Sequence, residues 1–406
     1  MTQFDLPRGV AFVLERLNGR GYEAYVVGGC VRDHLMGRVP SDYDVTTNAR
    51  PHEMMEVFSD CRVIETGLKH GTLTVLAEGM SIEVTTYRVD GAYDDGRHPN
   101  EVTFTASLEE DLCRRDFTVN AIAYSPRDGF VDPFGGREDI GRERITCVGE
   151  AEKRFSEDAL RILRAIRFSS ALGFRVEKET ADAVMEMHGT LAKISRERIC
   201  QEMTKLLLGQ SAEGVLKAFA PVVAFALDET GRLITAEDIS RGASRVSAAI
   251  RHVEMRYAAL FYGDGSDGID SAKKLYSALK PSKKSLLDML AFLENRFADT
   301  GEKYTLKRLM GRYGEVFPCE LIQFREAMGQ IDAAESASQL LSYSKLVEEN
   351  PCVTVGHLAV NGKDAAAAGL RGEAIGKGLG RLLDAVMREE IPNNREVLLD
   401  LLRHEC

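Results

Sequence analysis

Apolar residues recur at Val10, Val13, Leu14 and Leu17, the spacing of one face of an α-helix. This rhythm predicts a helix from Pro7 to Leu17, stopped at Gly19-Arg20-Gly21. Ala24-Tyr25-Val26-Val27 is a short apolar run of strand type, and Gly28-Gly29 leads from it into a helix start near Leu35-Met36. Pro51 opens another helix, through Phe58. Arg62-Val63-Ile64-Glu65, Gly71 to Leu76 and Ser81 to Thr86 read as successive strands, with a hairpin break at Glu78-Gly79-Met80. Ser156 reads as the cap of a helix reaching Leu172, with Glu157 and Asp158 in its first turn. From Lys178 onward the pattern is helical to the end, with Gly209-Gln210-Ser211 as a boundary candidate.

A chain of 406 residues is too long for one compact core and predicts two to four domains. Hydrophobic content of 44% and charged content of 28% are ordinary for a globular protein. No apolar run approaches the roughly 18–20 residues of a membrane span. Met1 to Asp5 shows no basic segment leading into an apolar one, so no signal peptide is expected. The 8 cysteines are scattered without a Cys-x-x-Cys pair, which argues against zinc and for a reducing cytosol. A net charge of −11 does not advertise nucleic-acid binding, but phosphate contacts need only a local basic patch.

Ser41-Asp42-Tyr43-Asp44-Val45-Thr46 carries the first chemistry. In a strand, side chains at i and i+2 leave the same face, so Asp42 and Asp44 are expected side by side. Two such carboxylates repel unless a cation sits between them, and a hard divalent ion such as Mg²⁺ suits an oxygen-only site. Taken alone, Asp-x-Asp is more often a solvated loop. The strand, glycine pair and helix start just upstream form an arrangement whose backbone N–H groups can face a phosphate, and Arg32 adds a charge. Ordinary turn geometry explains the glycine pair equally well. Glu83, alone among apolar and Thr residues of its strand, is either a third carboxylate facing the aspartates or a solvated edge residue.

Gly28-Gly29-Cys30-Val31-Arg32-Asp33 and Ser41-Asp42-Tyr43-Asp44 together resemble the opening motif of the class II tRNA nucleotidyltransferases, which include CCA-adding enzymes and bacterial poly(A) polymerases. The resemblance continues through Arg114-Arg115-Asp116-Phe117-Thr118-Val119-Asn120-Ala121, the turn Val131 to Gly136, Glu157-Asp158-x-x-Arg161 and Ser195-Arg196-Glu197-Arg198-Ile199. It is specific over residues 22–210. Over the tail it is weaker, resting on Val360 to Asp364 and Gly372 to Leu379, which are similar to Bacillus-type enzymes.

The resemblance implies an α+β chain. A polymerase-β-like nucleotidyltransferase head with a small mixed sheet (1–140) precedes an all-α neck (141–210), body (211–300) and tail (301–406). It implies Asp42 and Asp44 as catalytic metal ligands for Mg²⁺, with Gly29, Arg32, Arg115, Asp158, Arg161, Arg164 and Arg167 binding ATP or CTP. The polar stretch around Asp95-Gly96-Arg97-His98-Pro99 matches a flexible loop that helps switch from C to A addition, with Arg97 as its contributor. Asp158 and Arg161 offer an acceptor beside a donor. Cytosine and adenine both present an amine beside an acceptor nitrogen, whereas uracil and guanine present a carbonyl beside an N–H, so the pair would accept C and A. Expected partners are the tRNA 3′ end, ATP and CTP, with a homodimer as an admissible assembly and no membrane.

Three rival readings stay open. A poly(A) polymerase is disfavoured because Thr66 to Gly71 lacks that group's basic signature and Cys406 ends the chain without a basic extension. Nothing in the motifs forbids an A-adding specialist. A catalytically idle RNA-binding homologue is disfavoured by the complete carboxylate pair. Lys377 and Arg381, at a glycine-rich helix start, could hold RNA phosphate or simply pack a joint.

Overall fold

A computed structural model of the chain describes residues 4–68, 71–90, 102–263 and 266–404. The segments with period-two patterning assemble into one mixed sheet of seven strands: β1 (Ala24–Val27), β2 (Asp44–Thr47), β3 (Arg62–Gly67), β4 (Thr72–Ala77), β5 (Met80–Thr86), β6 (Ala123–Ser125) and β7 (Gly129–Val131). Their order is β3-β4-β5-β2-β1-β6-β7. All neighbours are antiparallel except β2 and β5, which run parallel. Glu78 and Gly79 take φ 49° and 77°, so the β4–β5 hairpin turns where the sequence placed it. α1 (Arg8–Gly19) buries Val10, Val13, Leu14 and Leu17 in a core shared with Leu73, Val75, Ile82 and Val84 of the sheet.

The two strands at the centre of the sheet matter for the site. β1 pairs Val27 with Asp44, and β5 pairs Glu83 with Asp44. The aspartate therefore lies beside the glycine turn that follows Val27, with a glutamate on its other flank. α2 (Gly29–Leu35) starts in that turn, and α3 (Pro51–Val57) opens on Pro51 as its sequence predicts. α4 (Leu108–Cys113) then leads into the short helical turn Thr118–Asn120.

Two expectations need correction. β2 begins at Asp44, so Asp42 lies just before the strand instead of within it, although burial still alternates through exposed Asp42, buried Tyr43 and exposed Asp44. The helix expected to run from a Ser156 cap to Leu172 is two helices, α6 (Ala151–Glu157) and α7 (Leu160–Leu172). Ser156 stands in the last turn of α6 and bonds the Lys153 carbonyl, while Asp158 takes φ −140° and ψ 103° and breaks the run.

Beyond α7 the chain is almost wholly helical, continuing through α8 (Lys178–Met187) and α9 (Arg196–Leu207). By contacts it forms two compact units, residues 1–243 with 275–281 and residues 244–274 with 282–406. Gly209-Gln210-Ser211 lies inside the first unit, where Ser211 N–H bonds the Ser170 carbonyl and Gln210 bonds that of Leu172. The second unit carries a cluster around Leu306, Ile322, Tyr343 and Leu346 and another around Leu379, Leu382, Leu398 and Leu402.

Gly136, first residue of α5 (Gly136–Gly141), lets that helix abut the turn Thr118–Asn120. A Cβ there would collide with the Thr118 carbonyl, which is backbone and cannot rotate away. Gly136→Ala should therefore destabilise the chain by about 1–3 kcal/mol. Chemical denaturation of both proteins checks this, and an unchanged midpoint would refute the packing argument.

Candidate active site

Gly28 has φ 80°, a backbone conformation suited to glycine, and a Cβ at this position would lie 3.1 Å from Arg115 Nη1. The residue type thus allows the turn and also lets a guanidinium lie against it. The first turn of α2 carries Arg32, which is buried. Its Nη1 donates to Asn120 Oδ1 at 2.6 Å, and its Nε and Nη2 donate to Asp33 at 2.9 and 2.8 Å. Arg32 and Asn120, far apart in sequence, are therefore joined.

Asp44 faces this turn. Although part of it meets solvent, surrounding protein pushes its carboxyl up from the ordinary value, and the negative charges of Glu83 and Asp42 add to that against the pull of Arg115. Asp42 is exposed and accepts a hydrogen bond from Ser41 Oγ at 2.8 Å. Among the described residues no three His, Cys, Asp or Glu side chains are gathered into a metal cage, so Glu83 flanks Asp44 without completing one.

The segment Asp111 to Asn120 supplies the opposite charge. Asp111 is fully buried and accepts hydrogen bonds from Arg114 Nε at 2.9 Å and Thr46 Oγ1 at 3.1 Å, with Arg115 Nη2 at 3.5 Å. Arg115 is held near Gly28 by that carboxylate, yet its Nε is buried without a hydrogen-bond partner. Burial pushes its pKa down, against Asp111 and Asp44. Asp116 is the hub: it accepts from Asn120 Nδ2 at 3.1 Å, from the Phe117 N–H at 2.9 Å and from Arg164 Nε at 2.7 Å. Burial alone would raise its carboxyl, but Arg164 and Asn120 outweigh burial and lower it to about 2.

Arg164 and Arg167 both project from α7. Arg167 Nε bonds Glu202 of α9 at 2.9 Å and lies 3.4 Å from the ring centroid of Phe168. Arg164 and Arg32 each stand 5.3 Å from the same ring. Three guanidinium groups thus surround one aromatic side chain, an arrangement the ring quadrupole favours.

Arg161 N–H donates to the Asp158 carbonyl at 3.0 Å, but their side chains bond elsewhere. Asp158 accepts from the Leu160 N–H at 3.0 Å and from Arg198 Nη2 at 2.9 Å. Arg161 Nη1 donates to Glu157 at 2.7 Å and to the Arg154 carbonyl at 3.2 Å, while Nη2 donates to the Arg114 carbonyl at 3.0 Å. A guanidinium has five N–H donors, so donors remain on Arg161, and the Asp158 carboxylate keeps lone pairs beyond its two bonds. Both therefore retain capacity for a ligand in the places they occupy.

Gly29, Arg32, Asp42, Asp44, Arg115, Arg161, Arg164 and Arg167 all lie in the first unit, as do Glu83 and Asp158. Arg97 and its loop fall outside the described residues. Lys377 belongs to the second unit, on the helix Glu373–Met387, where it pairs with Glu373 at 3.6 Å. Sequence reading did not single out Asp111, Glu202 or Arg198 as site residues. Asp111 had a usable signal, since it precedes Arg114 and Arg115 by helical spacing. Arg198 stood within the motif Ser195 to Ile199, whereas Glu202, which acts across helices, left no signal.

Comparison with known proteins places this geometry in context. A family model described as "Poly A polymerase head domain" matches residues 24–146, and one described as "Probable RNA and SrmB- binding site of polymerase A" matches residues 173–219. A CCA-adding enzyme of Enterococcus faecalis is 34% identical over 407 residues, covering 97% of this chain and 95% of that protein. One from Geobacillus kaustophilus is 50% identical over 214 residues, 53% of this chain, and there the chain spans about half the relative's length at 52%. The crystal structure of Bacillus stearothermophilus CCA-adding enzyme in complex with CTP superposes with a TM-score of 0.83 at 33% identity, covering 98% of this chain and 97% of that one.

The Asp116 hub has a pH signature. Its folded pKa of about 2 lies below the ordinary 3.8, so its contribution to stability is complete above the ordinary value and is lost as pH falls toward 2. That contribution is roughly 2 kcal/mol by linkage. Asp116→Asn should cost about 3 kcal/mol at pH 7, because Arg164 loses its partner. It should also flatten the decline of stability in denaturant melts between pH 5 and pH 2, and an equally steep decline in the variant would count against the assignment.

Proposed function

The chain belongs to the CCA-adding enzyme family, and on that premise we propose that it is a template-independent CCA tRNA nucleotidyltransferase, building and repairing the 3′-terminal CCA of tRNA from CTP and ATP with release of diphosphate. The observation that carries this reading is Asp44, a carboxylate under-compensated beside Asp42 and Glu83, facing the Gly28 turn and Arg115. Head (1–140), neck (141–210), body (211–300) and tail (301–406) are assigned to transfer, base selection, support and tRNA binding respectively. Among the described residues no helix is long and apolar enough to cross a membrane, and we place the reaction in the cytoplasm, where tRNA and nucleotides meet.

The residues fit a divalent cation. The donors are oxygen only; burial first, and then the charges of Glu83 and Asp42, raise the Asp44 carboxyl, and a cation would relieve that repulsion. Asp42 and Asp44 would hold it, with Mg²⁺ as the ion that best suits this donor set. When bound, the ion would lower the pKa of the attacking tRNA hydroxyl and neutralise charge on the triphosphate. The chain's own groups do the rest. Arg115, short of one hydrogen-bond partner and resting against Gly28, offers donors to phosphate oxygens. Arg32, held by Asn120 and Asp33, together with Gly29 lines the same turn for phosphate and sugar.

Base choice falls to Asp158 and Arg161 through their remaining lone pairs and N–H groups. An acceptor beside a donor complements C and A, while U or G would leave buried groups unpaired, at about 1–3 kcal/mol for each. Arg164 and Arg167 border the base site from α7, set in place by Asp116 and Glu202.

The decisive experiment gives the protein Mg²⁺ and tRNA lacking its last three nucleotides. CTP alone should extend it by two residues, and a third should require ATP. One A added only to tRNA ending in CC would mean an A-adding specialist, and a long ladder with ATP alone would mean a poly(A) polymerase. The Asp42→Ala/Asp44→Ala variant should lose at least about 1,000-fold in rate, the scale of removing principal transition-state stabilisation. Its melting temperature in metal-free buffer should match or exceed that of the wild type, because the substitution removes like-charge repulsion. Undiminished transfer by this variant would overturn the metal assignment.

A further inference from the structure

Asp111 is a carboxylate that the proposed chemistry leaves without a role. It stands in α4 with no accessible surface, and its two oxygens serve different neighbours. Oδ1 accepts from Arg114 Nε at 2.9 Å and from the Arg88 N–H at 3.3 Å, which fixes the carboxylate to its own segment and to the short strand Arg88–Asp90. Oδ2 accepts from Thr46 Oγ1 at 3.1 Å and lies 3.5 Å from Arg115 Nη2.

Thr46 follows Asp44 by two residues on β2, so the two side chains leave one face of the strand. Its partner in the parallel register is Thr85 of β5, just as Glu83 is the partner of Asp44. Oδ2 of Asp111 therefore touches the strand face that carries Asp44 and, on its other side, the arginine assigned to phosphate. The Arg115 contact is loose, since a charge-assisted N–H···O bond spans roughly 2.7–2.9 Å. Arg115 keeps 20% of its side-chain surface accessible, and its Nη1 rests against Gly28. Asp111 thus fixes where this guanidinium stands without using up the donors that a ligand needs.

We propose that Asp111 is a positioning residue for nucleotide transfer: through Oδ2 it ties Arg115 to Thr46, and so holds the phosphate-binding guanidinium in register with the Asp44 face of β2. This inference rests on the reading of Arg115 as a triphosphate ligand. It makes the contribution of Asp111 independent of the base and of the tRNA, and dependent on Arg115.

The test compares the wild type with Thr46→Val, Asp111→Asn, Arg115→Met and the Asp111→Asn/Arg115→Met pair. Single-nucleotide incorporation gives KM for CTP, ATP and tRNA, and calorimetric titration with CTP in Mg²⁺ gives a Kd that needs no transfer. Asp111→Asn should lower kcat/KM for CTP and ATP by about 10- to 100-fold, chiefly through KM, with a matching rise in the Kd of CTP. Thr46→Val, which removes one hydroxyl and leaves the carboxylate in place, should raise both quantities by about 3- to 10-fold, and it carries the test should Asp111→Asn fail to fold. In both variants KM for tRNA and the ratio of UTP to CTP incorporation should stay within about twofold of the wild type. In the Arg115→Met background, Asp111→Asn should cost less than about threefold more, because coupled residues are not additive.

Unchanged CTP binding in Thr46→Val, a rise in KM for tRNA equal to that for nucleotides, or the same loss with and without Arg115 would make Asp111 purely structural and overturn the inference. Full activity of Arg115→Met, or absence of any C or A transfer by the wild type, would instead sink the functional reading beneath it. The two failures are thus distinguishable.

Discussion

Asp116 is the carboxylate on which the geometry of the first unit depends. It joins Asn120, and through it Arg32 of the glycine turn, to Arg164 of α7. Glu202 performs the matching task for Arg167. Without these two acids, Arg164 and Arg167 would crowd Phe168 and Arg32 with only Asp33 left to offset the charge. Like charges about 4 Å apart at an effective dielectric near 20 repel by about 4 kcal/mol. One cation–π contact returns only about 0.5–2 kcal/mol. The ring shapes the cluster, and the carboxylates make it tolerable.

The balance differs between the two sides of the site. Around Phe168 every arginine has an acidic or amide partner, so the cluster is a finished scaffold. Around Asp44 the charges are not balanced, with Glu83 and Asp42 adding to burial against Arg115 alone. A fold that satisfies one set of charges so thoroughly and leaves another unsatisfied has concentrated its electrostatic cost at Asp44. The separation also explains why Arg164 and Arg167 are held in place by protein groups alone.

Much of this was legible in the chain. The period-two runs gave β3, β4 and β5, and the rhythm of Val10 to Leu17 gave α1, because each buries one face in a single core. The glycine turn and the two aspartates were visible because only a few residue types can do their work. The break between α6 and α7 was not visible. Residues 157–168 are strong helix formers throughout, and Ser156 looked like the cap. Asp158 instead closes α6 and takes the Leu160 N–H at the start of α7, and its partner Arg198 lies on another helix. Local propensity cannot report a bond that forms only when α9 packs on α7. For the same reason Arg161, expected to face Asp158 across one turn, instead joins Glu157 and the Arg114 carbonyl.

Among the incompletely served groups of the first unit are the Asp44 carboxylate, Arg115 Nε and Arg198 Nη1. Each stands next to a group that is fully served. Asp44 adjoins the ordered β1–β2 register, Arg115 is anchored by Asp111, and Arg198 is anchored by Asp158. A group with no partner and no anchor would wander and lose specificity, whereas one with every partner supplied would have nothing left for a ligand. Anchored yet unfinished groups are what a preorganised site requires, because the ligand completes the bonding without reorganising the protein. Asp44 and Arg115 share one neighbourhood beside the sheet, while Arg198 lies with Asp158 where α9 meets α7. The first unit thus carries such groups beside the sheet and beside α7, and the Asp116 network joins the two places.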